Sequence, residues 1–353
     1  MVKRSKKSCK KIAGKMIRNN LKSRNNNLYK TRRFLNKKRL SSNKSNKVKQ
    51  IFVEKKFSDD YMKSKEGEYF DNKDYDNIIK EDCDVYYYDE NGIKQTLMKF
   101  RKNVFPIKLC NIGIDCLKEA AKKTHDNRGA AAGVIDLKKM PSYANLASQL
   151  IGRNKFRVKA YRSRLTGKIV TNSLGNISQS NIIGYYDKRD RNLGPTAPPC
   201  RTTAFTSQQV EKWEKVLPLL HAIDKQFKRL IPKNHKIQYN RAHETDYVIG
   251  NTAFSTVTIN HNWRTALHQD AGDLKEGFGN LVILQEGDYD GGYLGFPQFK
   301  VAVDPKHGDF LAMDVHQWHC NTKIVPKTKD YTRLSIVAYL RDKMINCKGK
   351  PLQ

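Results

Sequence analysis

At 353 residues the chain has room for one large domain or two ordinary ones, and a hydrophobic fraction of 38% can build a core. The net charge of +32 is uneven: residues 1–56 hold 21 Lys/Arg against one acid, Glu54, which leaves +12 for the other 297. Seven scattered cysteines without a CxxC read as reduced thiols in an intracellular protein, a zinc site around Cys83, Cys110 and Cys116 being the lesser alternative; no apolar run is long enough for a membrane span, and no apolar h-region marks a secretory signal.

Residues 1–56 are Lys, Arg, Asn and Ser with few aliphatics, a composition expected to stay disordered. The clusters Arg32-Arg33 and Lys37-Lys38-Arg39 suit a nucleic-acid tether or a nuclear-type targeting signal; the plainer reading is a solubilising tail. From Phe57 to Glu90 the sign flips, with twelve Asp/Glu among Tyr61, Tyr69, Tyr75 and Tyr86-Tyr87-Tyr88. Residues 57–92 are read as an acidic, Tyr-rich linker, the alternative being a segment folded back over the tail. The folded domain then covers 93–353, with its core at about 155–345.

Within that domain Gln95–Arg101 reads as a strand and Ile112–Lys123 as an amphipathic helix. Arg128–Gly133 is a small-residue loop without the GKS of a phosphate-binding loop, so it is assigned no phosphate chemistry. Val158–Thr171 looks like a hairpin turning at Thr166-Gly167. After the break at Gly194–Pro199, Ser207 is the expected N-cap of a helix from Gln208 to about Leu230, stopped by Pro232. Val210, Trp213, Val216, Leu217, Leu220, Ile223 and Phe227 form its apolar stripe. Short runs follow at 237–239, 247–249, 255–259, 265–268, 281–285, 293–296, 301–303, 309–313 and 334–340, most of them separated by Gly, Asp or Pro turns. That pattern predicts a β-sandwich or jelly roll with helices packed outside.

Chemistry concentrates in the last of these runs. His268 and Asp270 are two apart, so on a strand they share a face. With a second imidazole they would form the 2-His-1-carboxylate set typical of non-haem Fe(II) oxygenases. His316 and His319 compete for that place, being three apart and therefore on opposite faces; His319, at the strand's end, is favoured. His261 and His307 read as turn or satisfied polar residues. Arg333 alternates with Ser335 on an apolar run, and a buried guanidinium needs an anion. The carboxylate of a 2-oxo-acid, assisted by the Ser335 hydroxyl, would supply it; a structural ion pair with an Asp is the alternative.

Phe254–Asn260, Arg264–Asp273, Gly279-Asn280-Leu281, Tyr289–Tyr293, Gly308–Leu311 and His319–Thr322 together resemble the TET/JBP family. The resemblance spans roughly residues 155–345. It implies an α+β fold with a double-stranded β-helix (jelly-roll, cupin-like) core and flanking helices. It further implies an Fe(II)/2-oxoglutarate dioxygenase, using O2, that hydroxylates the 5-methyl group of thymine or 5-methylcytosine in DNA. His268, Asp270 and His319 are then the iron ligands and Arg333 with Ser335 the 2-oxoglutarate anchor, while Arg201, Arg264 and Asn262 are candidates for reaching cosubstrate or substrate. The Cys-rich zinc-binding region of animal TET proteins is not found, nor an inserted J-base recognition domain.

A methyl group stacked inside a duplex cannot enter such a pocket, so the expected partner is DNA with a flipped base or as a single strand. A nucleus, another DNA-containing compartment or a virus is the expected setting. The competing readings are a 2-oxoglutarate oxygenase of RNA or protein, and a nucleic-acid-binding protein that has lost catalysis on the same fold.

Overall fold

The computed structural model describes residues 48–140, 147–171, 174–188 and 198–351. Arg32-Arg33, Lys37-Lys38-Arg39 and residues 194–197 of the Gly194–Pro199 break lie outside them. Strands β1 (Lys49–Phe52), β2 (Asn77–Ile79), β3 (Cys83–Tyr88) and β4 (Lys94–Arg101) precede a helix, Ile107–Ala121. Next come β5 (Thr124–His125), the meander β6 (Ala147–Arg153), β7 (Val158–Ser163) and β8 (Ile169–Val170), then β9 (Ser178–Tyr186) and β10 (Arg201–Thr202). Helices Ala204–Gln208, Val210–Leu230 and Pro232–Ala242 lead to β11 (Thr256–His261), β12 (Gly279–Glu286), β13 (Tyr289–Gly291) and β14 (Leu294–Phe296). The last strands are β15 (Val301–Val303), β16 (Phe310–Met313), β17 (Cys320–Asn321), β18 (Ile324–Pro326) and β19 (Thr332–Tyr339).

Two sheets carry the architecture. The larger runs β1-β3-β4-β16-β12-β19-β11-β9-β10, and the smaller runs β17-β14-β15-β2. The antiparallel block β16-β12-β19-β11 faces β15-β14-β17, and a bridge between His268 and His319 adds the eighth crossing. This is a double-stranded β-helix, and with its helices the fold is α+β. Alternation along the strands sorts the side chains. Val257, Ile259, Val282, Leu284, Phe310, Leu334, Ile336 and Ala338 pack against Leu117, Val216, Leu220 and Phe227 of the helices. Leu281, Ile283, Leu311 and Met313 point the other way, toward Leu294, Phe296, Val301 and Val303 of the smaller sheet.

Segment 57–92 is not a linker, and the fold starts well before residue 93. β2 pairs in parallel with β15 and gives the smaller sheet its edge strand, while β1, which lies within the residues 1–56 expected to be disordered, pairs in parallel with β3 at the edge of the larger sheet. Ser58 caps a short helix, Asp59–Ser64, by accepting from the Tyr61 N–H. Met62, Tyr75 and Tyr87 are buried, and Asp84 meets Lys99 at 3.3 Å and Arg101 at 2.7 Å. Composition counted the acids but could not see these partners.

Other departures have local causes. The first long helix begins at Ile107, directly after Pro106, rather than at Ile112. Ser207 is not a cap: it lies inside the helix Ala204–Gln208, where its hydroxyl donates to the Thr203 carbonyl at 3.2 Å. Gln209 breaks the chain there and the next helix runs from Val210 to Leu230 with Val210 exposed and Leu219, unpredicted, buried. Pro232 ends one helix but also opens another, since a missing N–H costs nothing in a first turn. Residues 237–239 are therefore helical, and Tyr247–Ile249 and Thr265–His268 run outside any strand.

Cys200 and Cys347 are joined by a disulfide, their Cα atoms 5.5 Å apart, which corrects the expectation of thiols throughout. They meet because the end of the chain folds back into a small core with Tyr247, Leu274, Leu340 and Met344. Cys83 and Cys110 stay free, burial pushing their thiols up to about 12 and about 11. Among the described residues Cys83, Cys110 and Cys116 do not converge on a shared metal position. No helix among them is long and apolar enough to cross a membrane.

Candidate active site

β19 decides where the site is. Its alternate residues Arg333, Ser335, Val337 and Tyr339 line a cavity of about 490 Å³ between the two sheets, whereas Leu334, Ile336 and Ala338 face the helices. Thr258 and Asn260 of β11, Leu281 of β12 and Met313 of β16 complete the same wall. His268, Asp270 and His319 line it from the smaller sheet's side.

One ligand atom from each of His268, Asp270 and His319 lies within 4.8 Å of the others. The His268–His319 bridge causes this, through reciprocal backbone hydrogen bonds of 3.0 Å that lock the two positions side by side. Each ring is turned the same way: Nδ1 of His268 lies 2.8 Å from the Ala266 carbonyl, and Nδ1 of His319 lies 2.9 Å from the Gln317 carbonyl. A carbonyl accepts only, so both Nδ1 atoms carry the proton and both Nε2 lone pairs are aimed inward. Those Nε2 atoms stand 3.4 Å and 3.8 Å from the Asp270 carboxylate.

Electrostatics fits the geometry. Burial, aided by the neighbouring His268, lowers His319 to about 4, so it is neutral near pH 7. Burial opposes a charge on His268 too, but the Asp270 hydrogen bond and charge outweigh it and raise that pKa. Against its own burial, Asp270 is held down at about 2 by the hydrogen bond from His268 in its protonated form and by the charge that His319 takes up in acid. Two neutral-capable imidazoles and one carboxylate make a donor set for a divalent first-row metal, with further positions open to the cavity.

Across the cavity Arg333 is 1% exposed. Its Nη2 donates to the Gly292 carbonyl at 3.0 Å, while its Nε is buried without a partner. Gly292 has φ +66°, and a Cβ there would stand 3.2 Å from that Nε, so the turn requires glycine. Beside the guanidinium, Ser335 Oγ accepts from Asn260 Nδ2 at 2.9 Å, and Asn260 Oδ1 accepts from Ser180. That chain leaves the Ser335 proton free to donate. The wall thus offers an unsatisfied guanidinium and a hydroxyl, an arrangement suited to a carboxylate.

The weaker candidates fare differently. Asn262 does not line the cavity; with φ +47° it accepts from the Arg333 N–H at 2.6 Å and fixes the start of β19. Arg264 also lies off the cavity lining, donating to the Asn321 and Phe70 carbonyls and pairing with Asp71 at 2.9 Å. Arg201 sits on β10, its guanidinium 5.7 Å from the Tyr186 ring centre, and does not line the cavity either. His316 turns to Asp314 at 3.2 Å, His261 to Gln179 at 2.8 Å, and His307 accepts from the Gln285 N–H. Arg128 is not among the expected site residues: the first four residues of the small-residue loop Arg128–Gly133 line the cavity, and Arg128 Nε is buried there unpartnered. Nothing in that run of small residues marks it locally; only the fold brings it beside Asp270. Tyr186, Asp273, Tyr339 and Arg341 were likewise unforeseen.

Residues 181–342 match a family model described as Tet_JBP, the oxygenase domain of the 2OGFeDO superfamily. Among curated proteins the chain is 36% identical over 162 residues to the bifunctional helicase and thymine dioxygenase JBP2 of Leishmania major, covering 46% of this chain and 14% of that protein. To the thymine dioxygenase JBP1 of Crithidia fasciculata it is 34% identical over 219 residues, 61% of this chain and 25% of that one. The chain therefore spans a quarter or less of the length of these relatives. Among solved structures, NgTET1 in complex with 5mC DNA aligns over 78% of this chain and 83% of its own, with a TM-score of 0.46 and 14% identity. His268, Asp270, His319 and Arg333 all fall inside the matched region, and residues 181–342 are similar to the TET/JBP oxygenase domain.

Proposed function

We propose that this protein is an Fe(II)/2-oxoglutarate-dependent dioxygenase that hydroxylates the 5-methyl group of a pyrimidine, thymine or 5-methylcytosine, in DNA. The single observation that carries the reading is one cavity holding both the His268/Asp270/His319 cluster and the unpartnered Arg333 Nε. Similarity supports the choice of substrate, since the relatives at 34–36% identity are thymine dioxygenases. When bound, iron with 2-oxoglutarate and O2 supplies oxidative chemistry in which one oxygen atom enters the methyl group and the other enters succinate, with release of CO2.

The chain's own residues have separable tasks. His268, His319 and Asp270 hold the metal, with the Ala266 and Gln317 carbonyls orienting the two rings. Arg333 and Ser335 grip the far carboxylate of 2-oxoglutarate, and Asn260 and Asn262 hold those two in place. Leu281, Leu294, Met313 and Val337 give the cavity an apolar lining that limits water around the reacting atoms. The target base enters flipped from a duplex or from a single strand, because a methyl group inside the stack cannot reach a recessed site.

The test is to incubate the protein with Fe(II), 2-oxoglutarate and DNA rich in thymine or 5-methylcytosine, digest to nucleosides and weigh the products. Hydroxymethylpyrimidine that vanishes with Asp270→Ala is expected. Succinate formed with the DNA unchanged would replace DNA by another substrate, and no turnover at all would end the enzymatic reading.

A further inference from the structure

Residues 147–171 contain seven basic residues, Arg153, Lys155, Arg157, Lys159, Arg162, Arg164 and Lys168, and no Asp or Glu. They form the three-stranded sheet β6-β7-β8, which precedes the segment matched to the oxygenase family. All seven except the half-buried Arg157 are exposed. Like charges so close together repel, and a stable fold normally intersperses acids among them. Here the nearby Glu66 and Glu68 pair instead with Lys63 and Lys65. Lys155 and Arg162 donate only to the Ser64 and Gly167 carbonyls, which neutralise no charge.

The sheet is firmly seated and ends at the active-site cavity. Val158 and Leu174 are fully buried with Ile135 and Met140, and Leu150 and Tyr161 pack against them. Between β6 and β7 the chain turns on Asn154, whose side chain accepts from the N–H groups of Phe156 and Arg157 at 2.9 and 2.7 Å. That turn places Phe156 in the cavity lining beside Arg128–Ala131 and Lys188. An aromatic ring therefore sits at the cavity wall, at the tip of a sheet whose exposed surface is cationic.

We propose that β6-β7-β8 is the surface that holds the phosphodiester backbone flanking the target pyrimidine, with Phe156 facing the unstacked base. Evenly spaced phosphates match a surface of exposed cations with no acid among them, and an aromatic face accepts any base. The inference rests on the DNA-oxygenase reading for the identity of the strand, but its test reads binding alone.

Arg153→Gln/Lys159→Gln/Arg164→Gln removes three exposed charges, and Lys225→Gln/Lys228→Gln/Lys236→Gln removes three from the helices as a control. Binding of a fluorescent methylated duplex by the full chain is followed by anisotropy across a sodium chloride series, with circular dichroism melting to confirm folding. Each lost phosphate contact lowers the slope of log affinity against log salt by about 0.9 for duplex and about 0.7 for single strand. The sheet variant is expected to lose about two to three units of slope and the control less than one. Equal slopes in wild type and sheet variant, or equal losses in both variants, would overturn the proposal. So would a variant that loses binding to phosphatidylserine vesicles while its DNA slope stands. If the wild type binds DNA but oxidises no base, the hydroxylase reading falls while the slope comparison still decides this surface.

Discussion

The two faces of β19 share a backbone and a register yet answer to different demands. On one side Leu334, Ile336 and Ala338 are wholly buried under helices and interact by contact alone. On the other, Arg333 and Ser335 are nearly as buried but leave a guanidinium nitrogen unpaired and a hydroxyl proton unspent. A helix-facing residue is satisfied by the protein itself, whereas a cavity-facing one is completed only by something that enters. Residues of equal burial should therefore fail in opposite ways when replaced.

The sharpest way to break that contrast is Arg333→Ala. Loss of one member of a buried charged pair costs about 2–5 kcal/mol, so 2-oxoglutarate affinity by calorimetry should fall thirty-fold or more. The melting temperature of the cosubstrate-free protein should move far less. Leu334→Ala should do the reverse: about 2–5 kcal/mol of stability lost in urea denaturation, with the 2-oxoglutarate dissociation constant within about twofold of wild type. If both variants weaken stability and binding together, the two faces are not separable.

A pH series sharpens the same contrast, since nothing on the helix face titrates. Coordination requires a neutral His268, whose pKa is raised by Asp270. Metal affinity should be flat above that raised value and fall about tenfold per unit as pH drops below it. His319, at about 4, adds a second loss only in stronger acid. The smallest effect expected is Ser335→Ala, one hydrogen bond worth about 1 kcal/mol and about a fivefold rise in the cosubstrate dissociation constant.

How much of this the chain revealed in advance depended on whether a residue's role was local. Val301–Val303, Val158–Thr171 and the run through Leu334 read correctly because their apolar patterns and turns are self-contained. His268 and Asp270 could be paired from their spacing and they do converge with His319, although the backbone there is not the strand that the spacing argument assumed. What escaped needed partners from far along the chain. Asp84 is an ordinary acid until Lys99 and Arg101 meet it, and Arg128 is unremarkable until its loop reaches the cavity. The Cys200–Cys347 bond spans a separation of 147 residues, beyond any spacing rule.

The parallel pairing of β1 with β3 has a practical corollary for handling the molecule. A deletion aimed at the cationic leader and cut at residue 56, where its composition changes, would also remove Lys49–Phe52. The amide and carbonyl groups of Cys83–Tyr86 that meet this strand would then lie bare, in a stretch rich in tyrosine. Naked strands of that kind recruit one another, and the shortened protein would tend to precipitate for reasons unrelated to polynucleotide affinity. A cut placed before Lys49 keeps the two questions apart.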